Sequence, residues 1–92
     1  MAMKQQNKQP TNPEEQGGQL RNAVIANHVL RALGQPAHLL AVRVHPLWGD
    51  RYRVNIVVGV DFASGKVANS YFLVVDGEGA IVTSTPVITR QY

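Results

Sequence analysis

Between His38 and Thr85 the chain reads as four consecutive strands joined by short turns, and the one amphipathic helix pattern in the sequence lies directly before them. That order constrains the fold more than any other feature. Turns of a few residues can join only antiparallel neighbours, so sequential strands become adjacent in space and the sheet is a meander. A lone helix preceding such a sheet has one place to bury its apolar stripe, which is against one sheet face. The expected class is therefore α+β, with one N-terminal helix packed on a four-stranded antiparallel meander sheet.

From Gln19 to Leu33 the residues Ile25, Ala26, Val29, Leu30 and Leu33 recur at spacings that gather them on one helical face. Arg21, His28 and Arg31 are expected on the opposite, solvated side. Gly34 supplies a cap residue and Pro36 a stop, so the helix is expected to end near Gly34. Leu40, Val42 and Val44 then alternate with Ala41, Arg43 and His45, the period of a half-buried strand ended by Pro46. After the connection Leu47, Trp48, Gly49 and Asp50, a second strand alternates Tyr52, Val54, Ile56, Val58 and Val60 with Arg51, Arg53 and Asn55. Asp61 to Gly65 is a turn, Lys66 to Val75 a third strand, Asp76 to Gly79 a third turn, and Ala80 to Thr85 a fourth strand before Pro86. Val87 to Tyr92 extends the sheet edge or hangs free.

The start of the chain is different in kind. Met1 to Gly18 is rich in Gln, Asn, Pro and Lys, and apart from Ala2 its apolar side chains are two methionines. Asn12, Pro13, Glu14 and Glu15 form a helix-start signal, with Asn12 as cap and the acids facing the helix dipole. Gly17 and Gly18 oppose it, because two adjacent glycines cost about 2 kcal/mol of helix propensity relative to alanine. The expectation is a disordered polar tail over 1–18, the glycine pair acting as a hinge, and a single small domain over 19–92.

Composition excludes several function classes. With 45% hydrophobic and 16% charged residues the chain can fold, and with no cysteine it does so without disulfides, thiolate zinc sites or a cysteine nucleophile. Neither a secretory signal nor an apolar run of membrane-spanning length is present, so a soluble, cytoplasmic protein that does not bind membranes is expected. The net charge of +3 permits an anionic partner without requiring one.

No catalytic constellation is visible. Asp50, Asp61, Asp76 and Glu78 all fall in turns, where a carboxylate is favoured because it caps local backbone. His38 and His45, an odd number of residues apart on one strand, point to opposite faces, which argues against a three-histidine metal site. Ser64, Ser70 and Ser84 lack a nucleophile-elbow setting, and the glycine pairs lack the lysine of a phosphate loop. No enzyme activity, cofactor or metal is expected.

Two surfaces remain. Arg43, His45, Arg51 and Arg53 alternate outward on the first two strands and should form a basic patch on the face opposite the helix, with Phe72 the one aromatic residue having a claim to that face. The second surface follows from topology. Successive hairpins bring the helix start, the first turn and the third turn to one end, which gathers Gly17, Gly18, Leu47, Trp48, Asp76 and Gly77. Leu47 and Trp48 are costly to expose without a use, so this end is expected to bind a partner, unless Trp48 folds back over the helix start as a lid on the core.

The layout from Gly17 to Thr85 resembles the cystatin-like architecture, in which a helix lies across an antiparallel sheet and an N-terminal glycine segment and two hairpins form a wedge. The resemblance implies inhibition of a cysteine protease through that wedge. The family's Gln-x-Val-x-Gly hairpin has no counterpart in the first turn, the nearest match being Asn55, Ile56, Val57, Val58 and Gly59 inside the second strand. Pro46 and Trp48 are separated by Leu47 and lie in the first hairpin, whereas the family's Pro-Trp pair lies in the later one. A PepSY-type helix-then-strands module is a comparable likeness. The functional expectation is a non-catalytic interaction or assembly module that forms a homodimer or binds another protein, with nucleic-acid binding through the basic sheet face as the alternative, and a protease inhibitor or small-ligand binder below both.

Overall fold

The computed structural model describes the backbone of residues 13–92 and side chains from residue 20 onward. Its elements are one helix, α1 (Pro13–Leu33), and four strands, β1 (Leu39–Pro46), β2 (Arg51–Val58), β3 (Lys66–Val75) and β4 (Ile81–Thr85), with a single 3-10 turn at Phe62–Ser64. The strands form one antiparallel sheet in the order β1-β2-β3-β4. This is the α+β meander that the turn lengths require.

α1 starts earlier than the glycine pair predicts. Its backbone is helical from Pro13 and runs through Gly17 and Gly18. Proline has its φ preset for the first helical position and lacks the N–H that a helix start leaves unpaired, and a 21-residue helix anchored by packing further along can carry two glycines. The rest of the expected tail, residues 1–12 with the Asn12 cap, lies outside the described residues.

The helix buries Ile25, Val29 and Leu33 completely, a stripe at four-residue spacing, against Tyr52, Val54 and Ile56 of β2 and Tyr71, Leu73 and Val75 of β3. Each such aliphatic side chain contributes about 1.5–3 kcal/mol relative to exposure. At its end Gly34 takes φ 90°, and its N–H donates to Leu30 O at 2.8 Å. A side chain there would collide with the backbone carbonyl of Tyr92. That carbonyl is close because residues 87–92 neither extend the sheet edge nor hang free. They return beneath the helix, where the N–H groups of Gln91 and Tyr92 donate to Leu33 O at 2.8 and 3.1 Å. Ile88 packs on the core beside them.

Irregularities in the sheet alter two further expectations. A register shift between Leu39 and Ala41 places Leu39, not Leu40, with Val42 and Val44 against the core. Leu40 instead approaches Gly59 and Gly65, near Val57, which is buried yet outside the core cluster. β2 ends at Val58, which still packs on the core, so Val60 falls in the following turn and is 81% exposed, and the second shift, between Ile56 and Val57, leaves Ala68 of β3 as the extra residue. Strict period-two counting cannot anticipate an inserted residue, because a bulge reverses the face of everything beyond it.

Candidate binding face

α1 and the turns after β1 and β3 do meet at one end of the molecule, and Arg21 joins them. Its Nε donates to the Tyr52 hydroxyl at 2.8 Å, Nη1 to Gly77 O at 2.9 Å, and Nη2 to Asp76 O at 2.7 Å. A longer contact of 3.4 Å links Nη2 to the Asp50 carboxylate. The guanidinium carbon lies 5.9 Å from the centroid of the Tyr52 ring. Arg21 is thus a half-buried strut and not a member of the solvated helix face to which alternation assigns it. Its position four residues before Ile25 carries the signal, since the stripe Ile25, Val29, Leu33 extended backward reaches residue 21.

Trp48 leaves this junction on the other side. The residue is 61% exposed, and its ring packs against Phe72 of β3, with centroids 6.1 Å apart and planes tilted by 46°. The Arg51 guanidinium sits over it, 5.7 Å from the ring centroid. Trp48 therefore does not fold over the helix start as a lid. It lies on the sheet face turned away from α1.

That outer face is built by register. His45, Arg53, Phe72 and Thr85 form one row across the four strands, flanked by the rows Arg43, Asn55, Ser70 and Arg51, Val74, Thr83. The middle is polar and ordered, with Ser70 donating to Asn55 Oδ1 at 2.7 Å and Arg53 reaching Ser70 Oγ at 3.4 Å. Arg43, His45, Arg51 and Arg53 are all exposed. Among the described residues none of the four forms an ion pair, and no carboxylate lies in these three rows.

The remaining residues expected at the partner edge have local explanations. Asp76 accepts from the N–H groups of Ala80 at 3.0 Å and Glu78 at 2.9 Å, and these bonds hold its carboxyl below the usual aspartate range. Gly77 contributes its carbonyl to Arg21. Gly17 and Gly18 belong to the early turns of α1, and Leu47 is exposed beside Trp48. Asp61 is likewise lowered, by bonds from the Ser64 backbone and then from its hydroxyl, which brace the turn that exposes Phe62. Burial pushes the Tyr71 phenol up.

Among the described residues no group of three or more His, Asp or Glu side chains could hold a metal ion, and no helix is long and apolar enough to cross a membrane. Comparison with protein-family models, with curated proteins and with solved structures finds no match for this chain.

Proposed function

We propose that this chain is a non-catalytic binding module that docks a macromolecule of negative charge on the outer sheet face. The observation that carries the reading is the placement of Trp48 on that face, packed on Phe72 and under Arg51, in company with Arg43, His45 and Arg53. Tryptophan and arginine are the side chains richest in binding energy when a partner desolvates them. In this reading Trp48, expected at the partner-binding edge, joins the basic face expected separately from the sequence.

The chain holds a single tryptophan, so the face can be tested directly. Iodide should quench Trp48 fluorescence far better than caesium, because the arginines attract the anion and repel the cation. A heparin fragment, as a generic polyanion, should shift the amide signals of Arg43, His45, Arg51, Arg53 and Phe72 and leave those of α1 in place. Equal quenching by the two ions, or shifts clustered on α1, would remove the reading.

A second reading, self-association, is supported by the β4 edge. Ile81–Thr85 carries no charged residue, and Val82 is exposed beside backbone groups that no further strand pairs among the described residues. Sedimentation at about 50 μM decides it, since association of small domains through a sheet edge should appear there as dimer and a strict monomer removes it. As to fold family, the helix-first order and the meander support a cystatin-like layout, which is a likeness of architecture and brings no inhibitory activity with it.

A further inference from the structure

The outer face combines two features that a generic anion receptor does not need. Its cations flank two aromatic rings, Trp48 exposed and Phe72 half-buried, and the sheet that carries them is open from β1 to β4. Phosphate or carboxylate binding alone would be served by the arginines. Rings lying among guanidiniums serve a partner that alternates negative charge with flat apolar surface, and unpaired nucleotides have that composition. A second copy of this chain is the poorer occupant, because a two-fold placing this face on itself would bring Arg43, Arg51 and Arg53 against their own equivalents with no carboxylate in the three rows to offset them. A duplex is poorer too, since its bases are stacked inward and could not reach Trp48 or Phe72.

We propose that the outer face binds single-stranded nucleic acid, bases stacking on Trp48 and Phe72 while Arg43, Arg51 and Arg53 hold the phosphates. The proposal rests on the docking-face reading above and names the class of polyanion. The exposed face of Trp48 takes one base, since the residue is 61% exposed although Arg51 covers part of the ring. Phe72, half-buried in the central row beside Arg53, takes the next. The Ser70 and Asn55 groups leave polar edges within reach of a base or a ribose hydroxyl. Nothing on the face selects a particular base, so sequence preference should be weak.

The test is titration of the full chain with a uridine oligomer of about 12 nucleotides, followed by Trp48 fluorescence. Stacking should quench the emission, and the logarithm of the affinity should fall with the logarithm of salt at a slope of about −2, as three phosphate contacts on a single strand require. Arg53→Ala, an exposed position, should reduce that slope by about 0.7. Trp48→Ala, read by anisotropy of labelled oligomer, should weaken binding about fivefold or more. A duplex of equal length should bind more weakly than the single strand. Several results would overturn the proposal. Equal affinity for the heparin fragment and the oligomer would make the face a general polyanion site. Oligomer binding unaffected by both substitutions would move the site elsewhere. An accessible, iodide-quenched Trp48 with no oligomer binding at low salt would end the nucleic-acid assignment while leaving the docking face standing.

Discussion

The Nε of Arg21 donates to the Tyr52 hydroxyl at 2.8 Å, and the same guanidinium closes on two carbonyl oxygens of the β3–β4 turn. One side chain thereby ties the helix to both hairpins that flank the binding face. Charge-assisted bonds of this kind contribute more than neutral ones, and the fork geometry is specific to arginine. Arg21→Met keeps most of the apolar stem and should lower stability by about 2 kcal/mol, read from urea midpoints, and Arg21→Lys should recover less than half of it. The 3.4 Å contact with Asp50 is exposed on the carboxylate side, so Asp50→Asn should cost less than about 1 kcal/mol. A neutral Arg21→Met would show that the junction is held by the sheet alone.

Acid should weaken the fold through two turns. Asp61 and Asp76 both have folded pKa values below the ordinary 3.8, owing to hydrogen bonds from Ser64 and from Ala80 and Glu78 respectively. A carboxyl lowered by folding contributes stability that is fully present above its unfolded pKa and is lost as pH falls through the folded one. Stability of the wild type should therefore decline below about pH 4, and the Asp61→Ala, Asp76→Ala double variant should be less stable at neutrality yet decline less steeply there. On the alkaline side the sign reverses. Tyr71 is raised above 10.0 by burial, so its contribution is present below that value and lost at higher pH. Urea midpoints collected across both windows check the two slopes, and a double variant that parallels the wild type in acid would refute the first.

The sequence makes the element order, the strand register by parity and the core stripe legible, since each follows from periodicity and turn chemistry. What it conceals is instructive in particular residues. Counting in twos puts Leu40 and Val60 on the core face, whereas Leu40 is the extra residue of a bulge on β1 and Val60 lies beyond the end of β2 at Val58. Arg21 looks solvated because charge is read before position, although its four-residue spacing from Ile25 places it on the buried stripe. Trp48 is the limiting case. A residue in a turn has no parity, and only the folded β1–β2 connection decides that its ring lies on Phe72 rather than on the helix.

Two glycines meet where β2 leaves and β3 enters the sheet. A Cβ built on Gly59 would lie 2.9 Å from Gly65 Cα and 3.2 Å from Gly65 N, contacts with backbone that no rotamer change relieves. Gly59→Ala should destabilise the protein by about 2 kcal/mol through forced separation of the strand ends. Gly77 is the internal control, because a Cβ there meets nothing within 4 Å and its φ is not positive. Gly77→Ala should change stability by less than about 0.5 kcal/mol, or raise it slightly by restricting the unfolded chain. Thermal melts of the pair that failed to separate would remove the close-approach argument.

The return of residues 87–92 to the helix end should be a stabilising strap. Three kinds of contact converge there. Two N–H groups reach the Leu33 carbonyl, the Tyr92 hydroxyl donates to Asn69 Oδ1 at 3.0 Å, and Ile88 covers core surface that α1 leaves open. A helix C-terminus has carbonyls without partners, so a segment that supplies donors there suppresses fraying. Ile88→Ala should cost about 1–2 kcal/mol, below the usual range for a fully buried isoleucine because the side chain is only half-buried. Removing residues 87–92 should cost more than Ile88→Ala alone and should selectively accelerate amide exchange at Gly34, whose N–H closes the last turn on Leu30. The outer face is on the far side of the sheet from the strap, so binding through Trp48 and Arg53 should survive the truncation once the shortened chain is shown to be folded. If exchange at Gly34 stayed at its wild-type rate, the strap would be a passenger on a helix end that is stable without it.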